Sequence, residues 1–191
     1  RVNPFDWERE FPLVFGRGNE SGPSTSSGQG FDCVIGNPPY IRIQTMKEWA
    51  PVEVELYKEM YQSASSGNYD IYVIFIEKAL SLKSKEGKIG YILPHKFFTA
   101  QYGEQIRQII GNDKNLNHIV YFGDIQIFEG ATTYTCLIFL EKKHNDFFIL
   151  SNVTNINQWK TDGICTTIKI KNINNSSDWK FLDSENEDLY N

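Results

Sequence analysis

Cysteine is scarce in this chain of 191 residues: Cys33, Cys136 and Cys165 are all there are. An odd number without metal-site spacing points away from a disulfide or metal framework. It reads instead as buried free thiols in a cytoplasmic protein. Long hydrophobic runs are missing too. None approaches the ~20 residues of a membrane span, and nothing at the start has the pattern of a signal peptide. No membrane partner is therefore expected. A basic excess is also absent: net charge is −5 and the pI about 5.3, which is no DNA-binding signature by itself. The first residue is Arg rather than Met, so a fragment or a processed chain is expected.

What remains suits a globular domain. The length allows one domain, or one domain plus a piece of another. Hydrophobic residues make up 40% and aromatics 14% of the chain, with 13 Phe and 10 Tyr, enough for a core rich in strands and stacking surfaces. Charge is unevenly spread. Residues 83–118 carry six Lys/Arg against three Asp/Glu, whereas the last eleven residues carry four acids and no base. An acidic total with a basic middle allows a nucleic-acid face without arguing strongly for one.

One segment carries chemistry: Phe31-Asp32-Cys33-Val34-Ile35-Gly36-Asn37-Pro38-Pro39-Tyr40. Phe31 to Ile35 reads as a buried parallel strand, short and rich in β-branched and aromatic residues. Gly36 breaks the pattern, and the two prolines cannot donate to a sheet ladder. Asn37 to Tyr40 thus forms a stiff loop at the carboxyl end of a strand, where open α/β sheets bind ligands. Asn37 offers a carbonyl oxygen as an acceptor. Pro39 holds Pro38 extended and so aims the Pro38 carbonyl in a fixed direction. Two fixed acceptors can grip one exocyclic NH2, and Tyr40 adds a flat face for a planar ring. The loop is shaped for a planar aromatic amine. A plain rigid turn, or a polyproline ligand for a partner, would need neither the strand in front nor the flanking Asn and Tyr.

An Asn-Pro-Pro-Tyr loop after a hydrophobic strand resembles the catalytic motif of amino-group DNA methyltransferases acting on adenine. The longer match resembles the adenine-specific modification proteins of type II restriction–modification systems, in which methylation and restriction often share one polypeptide. The resemblance implies a flipped adenine against Tyr40, with its amino group held by the Asn37 side chain and the Pro38 carbonyl. It also implies S-adenosylmethionine as cofactor, double-stranded DNA as partner and no metal for methyl transfer.

Three further stretches match in order. Asn68 to Phe75 resembles the next motif, a helix walling the cofactor's adenine, with Pro39 and Phe75 as the apolar contacts. Gly87 to Phe98 resembles the following strand and its exit loop. There Lys96 is a possible DNA-phosphate contact. His95 can hydrogen-bond nearby backbone and is not assigned as a general base. Phe122 to Tyr134 resembles the last motif of the catalytic domain, where an aromatic packs on the other face of the target base. Phe128 is the matching position, since a flipped base needs aromatic or apolar surfaces on both faces.

Along the chain, residues 1–15 look ordered and aromatic, and 16–30 read as a flexible Gly/Ser-rich loop. Apolar spacing predicts a helix within 45–62 and another over 70–82. Strands are predicted at 88–93, 118–122 and 135–140, the last two antiparallel, with a loop and helix over 97–110. The predicted fold class is α/β: a partial Rossmann-like sheet of S-adenosylmethionine-dependent methyltransferases, the catalytic-loop half, mostly parallel with a terminal antiparallel strand. Three parts follow: a lead-in over 1–30, the catalytic half over 31–143, and a connector toward a target-recognition region over 144–191, rich in Asn, Ser and Asp from 151 on and with short β-prone pieces such as Thr166 to Ile170.

A complete enzyme of this kind also needs a Gly-rich turn for the cofactor's methionine part and acidic residues for its ribose and adenine. Twelve residues separate Gly18 from Phe31, too few for the missing strand–helix units. The cofactor-binding half is therefore expected on the N-terminal side, before Arg1, and the target-recognition region on the C-terminal side of the same polypeptide, and the Phe31–Ile35 strand is expected to expose an edge. Alternatives are an RNA or protein-glutamine methyltransferase, or a non-catalytic DNA-recognition or assembly subunit. A linked restriction endonuclease fits the family, but no nuclease motif stands out.

Overall fold

The computed structural model describes residues 5–15, 30–65, 67–130, 133–141, 144–171 and 178–179. Most of the predicted Gly/Ser-rich loop lies outside them. The described elements are α1 (Trp7–Glu10), α2 (Pro12–Phe15), β1 (Phe31–Gly36), α3 (Ile43–Trp49), α4 (Pro51–Met60), α5 (Tyr72–Leu82), β2 (Lys83–Pro94), α6 (Glu104–Asn112), β3 (Leu116–Tyr121), β4 (Thr135–Glu141), β5 (Phe147–Asn152), α7 (Ile156–Asp162) and β6 (Thr166–Lys171).

The strands form one six-stranded sheet in the order β1-β2-β4-β3-β5-β6. β1 runs parallel to β2 and β3 parallel to β5, while β4 and β6 run against their neighbours. The α/β class is as predicted, with most strands pointing one way. The strand at one edge, β6, is antiparallel as predicted, and so is β4. It is wedged between β2 and β3, so the short β3–β4 connection makes an antiparallel pair at the middle of the sheet. The boundary drawn at residue 143 falls within the sheet, because β5 and β6 extend it.

Two other expectations need correction. The single helix over 45–62 is two helices, broken at Ala50 (φ −136°, ψ 56°). Pro51 disfavours helical geometry in the residue before it and is itself well placed at the first position of α4. β1 is parallel, as predicted, but not buried: Ile35 is 80% exposed, and Cys33 is exposed while Cys136 is buried. Among the described residues β1 has β2 as its one neighbour. A parallel strand reads as continuously apolar because it is covered on both sides, and this one stands at an edge.

The main core lies between the sheet and the helices α3 to α6. Tyr72 and Ile76 of α5 and Ile106 and Ile110 of α6 meet Ile89 and Leu93 of β2 and Ile138 of β4. A smaller cluster of Val120, Phe122 and Val153 packs with Trp159 of α7. Asn155 caps α7 by accepting from the backbone N–H of Asn157 and Gln158, both at 3.1 Å. Gly163 ends it in the left-handed conformation at φ 69°. No described helix is long and apolar enough to cross a membrane.

Candidate active site

β1 ends at Gly36, and the chain leaves the sheet through Asn37-Pro38-Pro39-Tyr40. Pro38 is buried, Tyr40 half-buried, and Asn37 and Pro39 exposed. Beyond the loop, Ile41 to Ile43 pairs with Tyr69 to Ile71: the Ile43 N–H donates to the Tyr69 carbonyl and the Ile71 N–H to the Ile41 carbonyl, both at 2.9 Å. The loop is thus fastened to β1 on one side and to the start of α5 on the other.

A cavity lies on each side of it. Cavity 1, of about 410 Å³, is lined by Tyr40, Arg42, Asp70, Pro94, His95, Lys96, Thr99, Thr133 and Tyr134. Cavity 2, of about 350 Å³, is lined by Asn37, Pro38 and Pro39 together with Trp7, Val34, Ile35, Gly36, Phe75, Lys78, Ala79, Leu82 and Tyr91. The loop is the partition between them.

Tyr40 is held by its hydroxyl. β1 ends opposite Tyr91, so the next residue of β2 has no strand partner on that side. The Tyr40 hydroxyl donates to the carbonyl of this residue, Ile92, at 3.2 Å. Burial, then proximity to Cys136, pushes the phenol up to about 12, so it stays a donor at neutral pH. The Tyr40 ring meets Tyr72 edge-on at 6.4 Å. The Tyr72 and Tyr102 hydroxyls are 2.7 Å apart, and Tyr102 donates to the Asp70 carboxylate at 3.1 Å. A ring contact followed by two hydroxyl contacts thus links Tyr40 to Asp70 of the same cavity.

His95 and Lys96 follow β2, where Pro94 ends the strand. The His95 N–H donates to the Tyr134 carbonyl at 3.3 Å. Its ring lies near-parallel to Tyr134 at 6.4 Å and edge-on to Tyr121 at 4.9 Å. Burial lowers the imidazole's pKa, partly offset by the Asp124 carboxylate. Its buried Nε2 has no hydrogen-bond partner among the described residues. Lys96 is exposed on the rim.

The structure brings together most residues singled out in the sequence. Pro39 and Phe75 share cavity 2, where Phe75 is 41% exposed. Asn37 and Pro38 line the same cavity, whereas Tyr40 and Lys96 share cavity 1. Phe128 is half-buried in the β3–β4 connection and is not among the described residues lining either cavity. Sequence reasoning missed three aromatics, one of them Tyr91 of β2, which lines cavity 2. Tyr134, at the end of the motif that contains Phe128, lines cavity 1. Trp7, from the aromatic lead-in, lines cavity 2 while packing against Phe5, Phe11 and Phe31 at 4.8, 5.8 and 5.9 Å. No group of three or more His, Cys, Asp or Glu among the described residues could hold a metal.

The model of the Eco57I restriction-modification methylase family matches residues 1–128. The chain is similar to the Escherichia coli type II restriction enzyme and methyltransferase RM.Eco57I, at 37% identity over 131 residues, covering 69% of this chain and 13% of that protein. It is also similar to the type II methyltransferase M.BstVI of Geobacillus stearothermophilus, at 30% identity over 117 residues, covering 61% of this chain and 20% of that protein. The type IIG restriction endonuclease BpuSI shares its fold, with a TM-score of 0.52, 17% identity and coverage of 73% of this chain and 19% of that one. The chain therefore spans a small part of the length of these relatives.

Proposed function

The chain belongs to the Eco57I restriction-modification methylase family, and from that premise we propose that it is the catalytic-loop part of an adenine-specific DNA methyltransferase. The observation that carries this reading is the partition: Asn37, Pro38 and Pro39 line an apolar cavity on one side of the loop, and Tyr40 lines a polar cavity on the other. Methyl transfer to a base needs two adjoining compartments, with acceptors at their junction to orient the amino group.

In this reading cavity 1 receives an adenine turned out of the duplex. The Tyr40 ring stacks on one face, and Phe128 closes on the other. The Asn37 side chain and the Pro38 carbonyl accept the two amino protons. That draws the nitrogen's electron pair out of conjugation with the ring and turns it toward cavity 2. No covalent intermediate with the enzyme is required, because positioning and electrostatics suffice. Lys96 and the basic stretch around it meet DNA phosphates.

Cavity 2 fits the adenine end of S-adenosylmethionine: Pro39, Phe75 and Trp7 offer apolar and aromatic walls, the lining such a ring requires. S-adenosylmethionine, when bound, supplies the methyl group. Among the described residues, Asn37 and Lys78 are the amide and charged side chains on that cavity; in this reading, further partners for the ribose and methionine are supplied outside the described lining. The test is methylation of duplex DNA by a polypeptide that joins this chain to a cofactor half. N6-methyladenine is the expected product, formed about a hundredfold or more slowly in Asn37→Ala. Methyl groups found only on cytosine, RNA or protein glutamine would overturn the assignment.

A further inference from the structure

Behind cavity 1 the structure holds a second arrangement that the reaction itself does not use. Arg107 of α6 is buried, its side chain 3% exposed. Its Nη1 donates to the carbonyls of Phe97 and Ala100 at 2.7 and 2.8 Å. Its Nη2 pairs with the Asp178 carboxylate at 3.2 Å. The next residue, Trp179, is 1% exposed. Its backbone N–H donates to the Phe98 carbonyl at 2.8 Å, and its ring packs on Phe97 and Phe98 at 5.8 and 5.5 Å. Three carbonyls of one short segment are therefore gripped from behind. The front of that segment supplies His95, Lys96 and Thr99 to cavity 1. There is no slack in the packing, since a Cβ on Gly103 would overlap the Phe97 carbonyl oxygen and crowd the Arg107 guanidinium at 2.7 Å.

We propose that Arg107 is a positioning residue: it couples the Asp178–Trp179 strap to the wall of cavity 1, so that these two residues adjust how the target base is held. The proposal rests on the reading of cavity 1 as the base pocket. The chemistry of the contact favours coupling over simple core filling. Burying a guanidinium is a poor way to gain stability, because apolar packing of equal volume does as well or better. A planar guanidinium adds direction, fixing two carbonyls and a carboxylate at set angles. Lys96 is bonded directly to Phe97, and Thr99 sits between Phe98 and Ala100, so movement of the strap reaches the cavity through single peptide units. Asp178 is 41% exposed and can respond to whatever binds near the strap.

The experiment uses the methylating polypeptide carrying this chain, with Asp178→Asn, Asp178→Glu and Arg107→Lys. In Asp178→Asn and Arg107→Lys we expect kcat for DNA methylation to fall about tenfold, the scale of a small misplacement remote from the chemistry. The KM for S-adenosylmethionine should stay within about twofold, because cavity 2 is untouched. A 2-aminopurine at the target position should lose part of its flipped-base fluorescence, and Asp178→Glu should recover most of it. Wild-type kcat and fluorescence in both Asp178→Asn and Arg107→Lys would overturn the coupling. So would an equal loss at both cavities accompanied by a lowered Tm, which is the mark of a merely structural contact. Asn37→Ala separates the two levels. If it methylates normally, the reading of the site fails; if it is silent while the strap variants are normal, the coupling alone fails.

Discussion

The two cavities beside the Asn37–Tyr40 loop are built differently. Cavity 1 is enclosed by segments from several parts of the chain, and Arg42, Asp70, His95, Lys96 and Thr99 give it a polar, mixed-charge rim. Cavity 2 runs along β1, at the edge of the sheet, and its walls are mainly proline, aliphatic and aromatic. The first has side chains that can meet a polyanion and a base. The second has flat apolar surfaces and few partners for polar groups. A loop that is rigid by composition keeps two unlike environments one residue apart.

The largest expected difference concerns cofactor affinity. Residues 1–191 alone should bind S-adenosylmethionine more weakly than about 1 mM, because polar parts of the ligand exchange water for too few partners. Joining an upstream cofactor half should restore micromolar binding, and calorimetry distinguishes the two. Micromolar binding by the chain alone would mean that cavity 2 is more complete than its walls suggest. Next, Asn37→Ala at the partition should slow methylation about a hundredfold or more, as loss of one preorganised acceptor does, with the Tm almost unchanged because Asn37 is exposed. A wild-type rate would remove the partition from the mechanism.

The third prediction lies wholly on the cavity 1 side. Phe128→Ala should weaken capture of a flipped base by about 1–3 kcal/mol, and Phe128→Trp should be better tolerated. A fluorescent base analogue in duplex DNA reports both. A loss in Tyr134→Ala without one in Phe128→Ala would assign the second wall to Tyr134. The smallest effect separates the cavities by pH. Burial lowers the pKa of His95, and likewise of His118 on β3. A histidine that is harder to protonate when folded contributes fully above its unfolded value of about 6.5. That stability is lost as the pH falls below this value toward the lowered folded one. The Tm should therefore decline on acidification over that range, and His95→Gln should flatten part of the decline. Of the two histidines, His95 lines cavity 1 and no described residue of cavity 2 is a histidine, so the part of the decline that His95→Gln removes belongs to the cavity 1 side. A Tm independent of pH between 7 and 5 would rule this out.

How legible was this in the sequence? Asn37 to Tyr40 stood out because two prolines after a strand leave the backbone few choices. Phe75 was legible through helical spacing, and β3 and β4 through a short gap. β5 and α7 were not read, although Asn155 and Gly163 are ordinary helix signals, and β6 was read only as a β-prone piece over Thr166 to Ile170. The abundance of Asn, Ser and Asp over 151–191 suggested a connector, and β6 is exposed at four of its six positions. Its strand character comes from pairing with β5, a tertiary fact. The exposure of β1 at Ile35 was hidden for a related reason: an apolar run states a preference for burial, and the neighbour that satisfies it has to be supplied from elsewhere. Tyr134 and Trp7 reach their cavities through contacts far apart in sequence, which no spacing rule encodes.

The hydrogen bond from Tyr40 to Ile92 has a further meaning for the order of events. A tyrosine ring free at its tip swivels, and a ligand must freeze that motion on arrival. Here the swivel is stopped during folding, so the entropic cost falls on the apo protein once rather than on every binding event. Tyr40→Phe would keep the stacking face yet return the cost to the ligand. The deficit should then appear as slower capture of the base, with little change in how well it is held by contacts once seated.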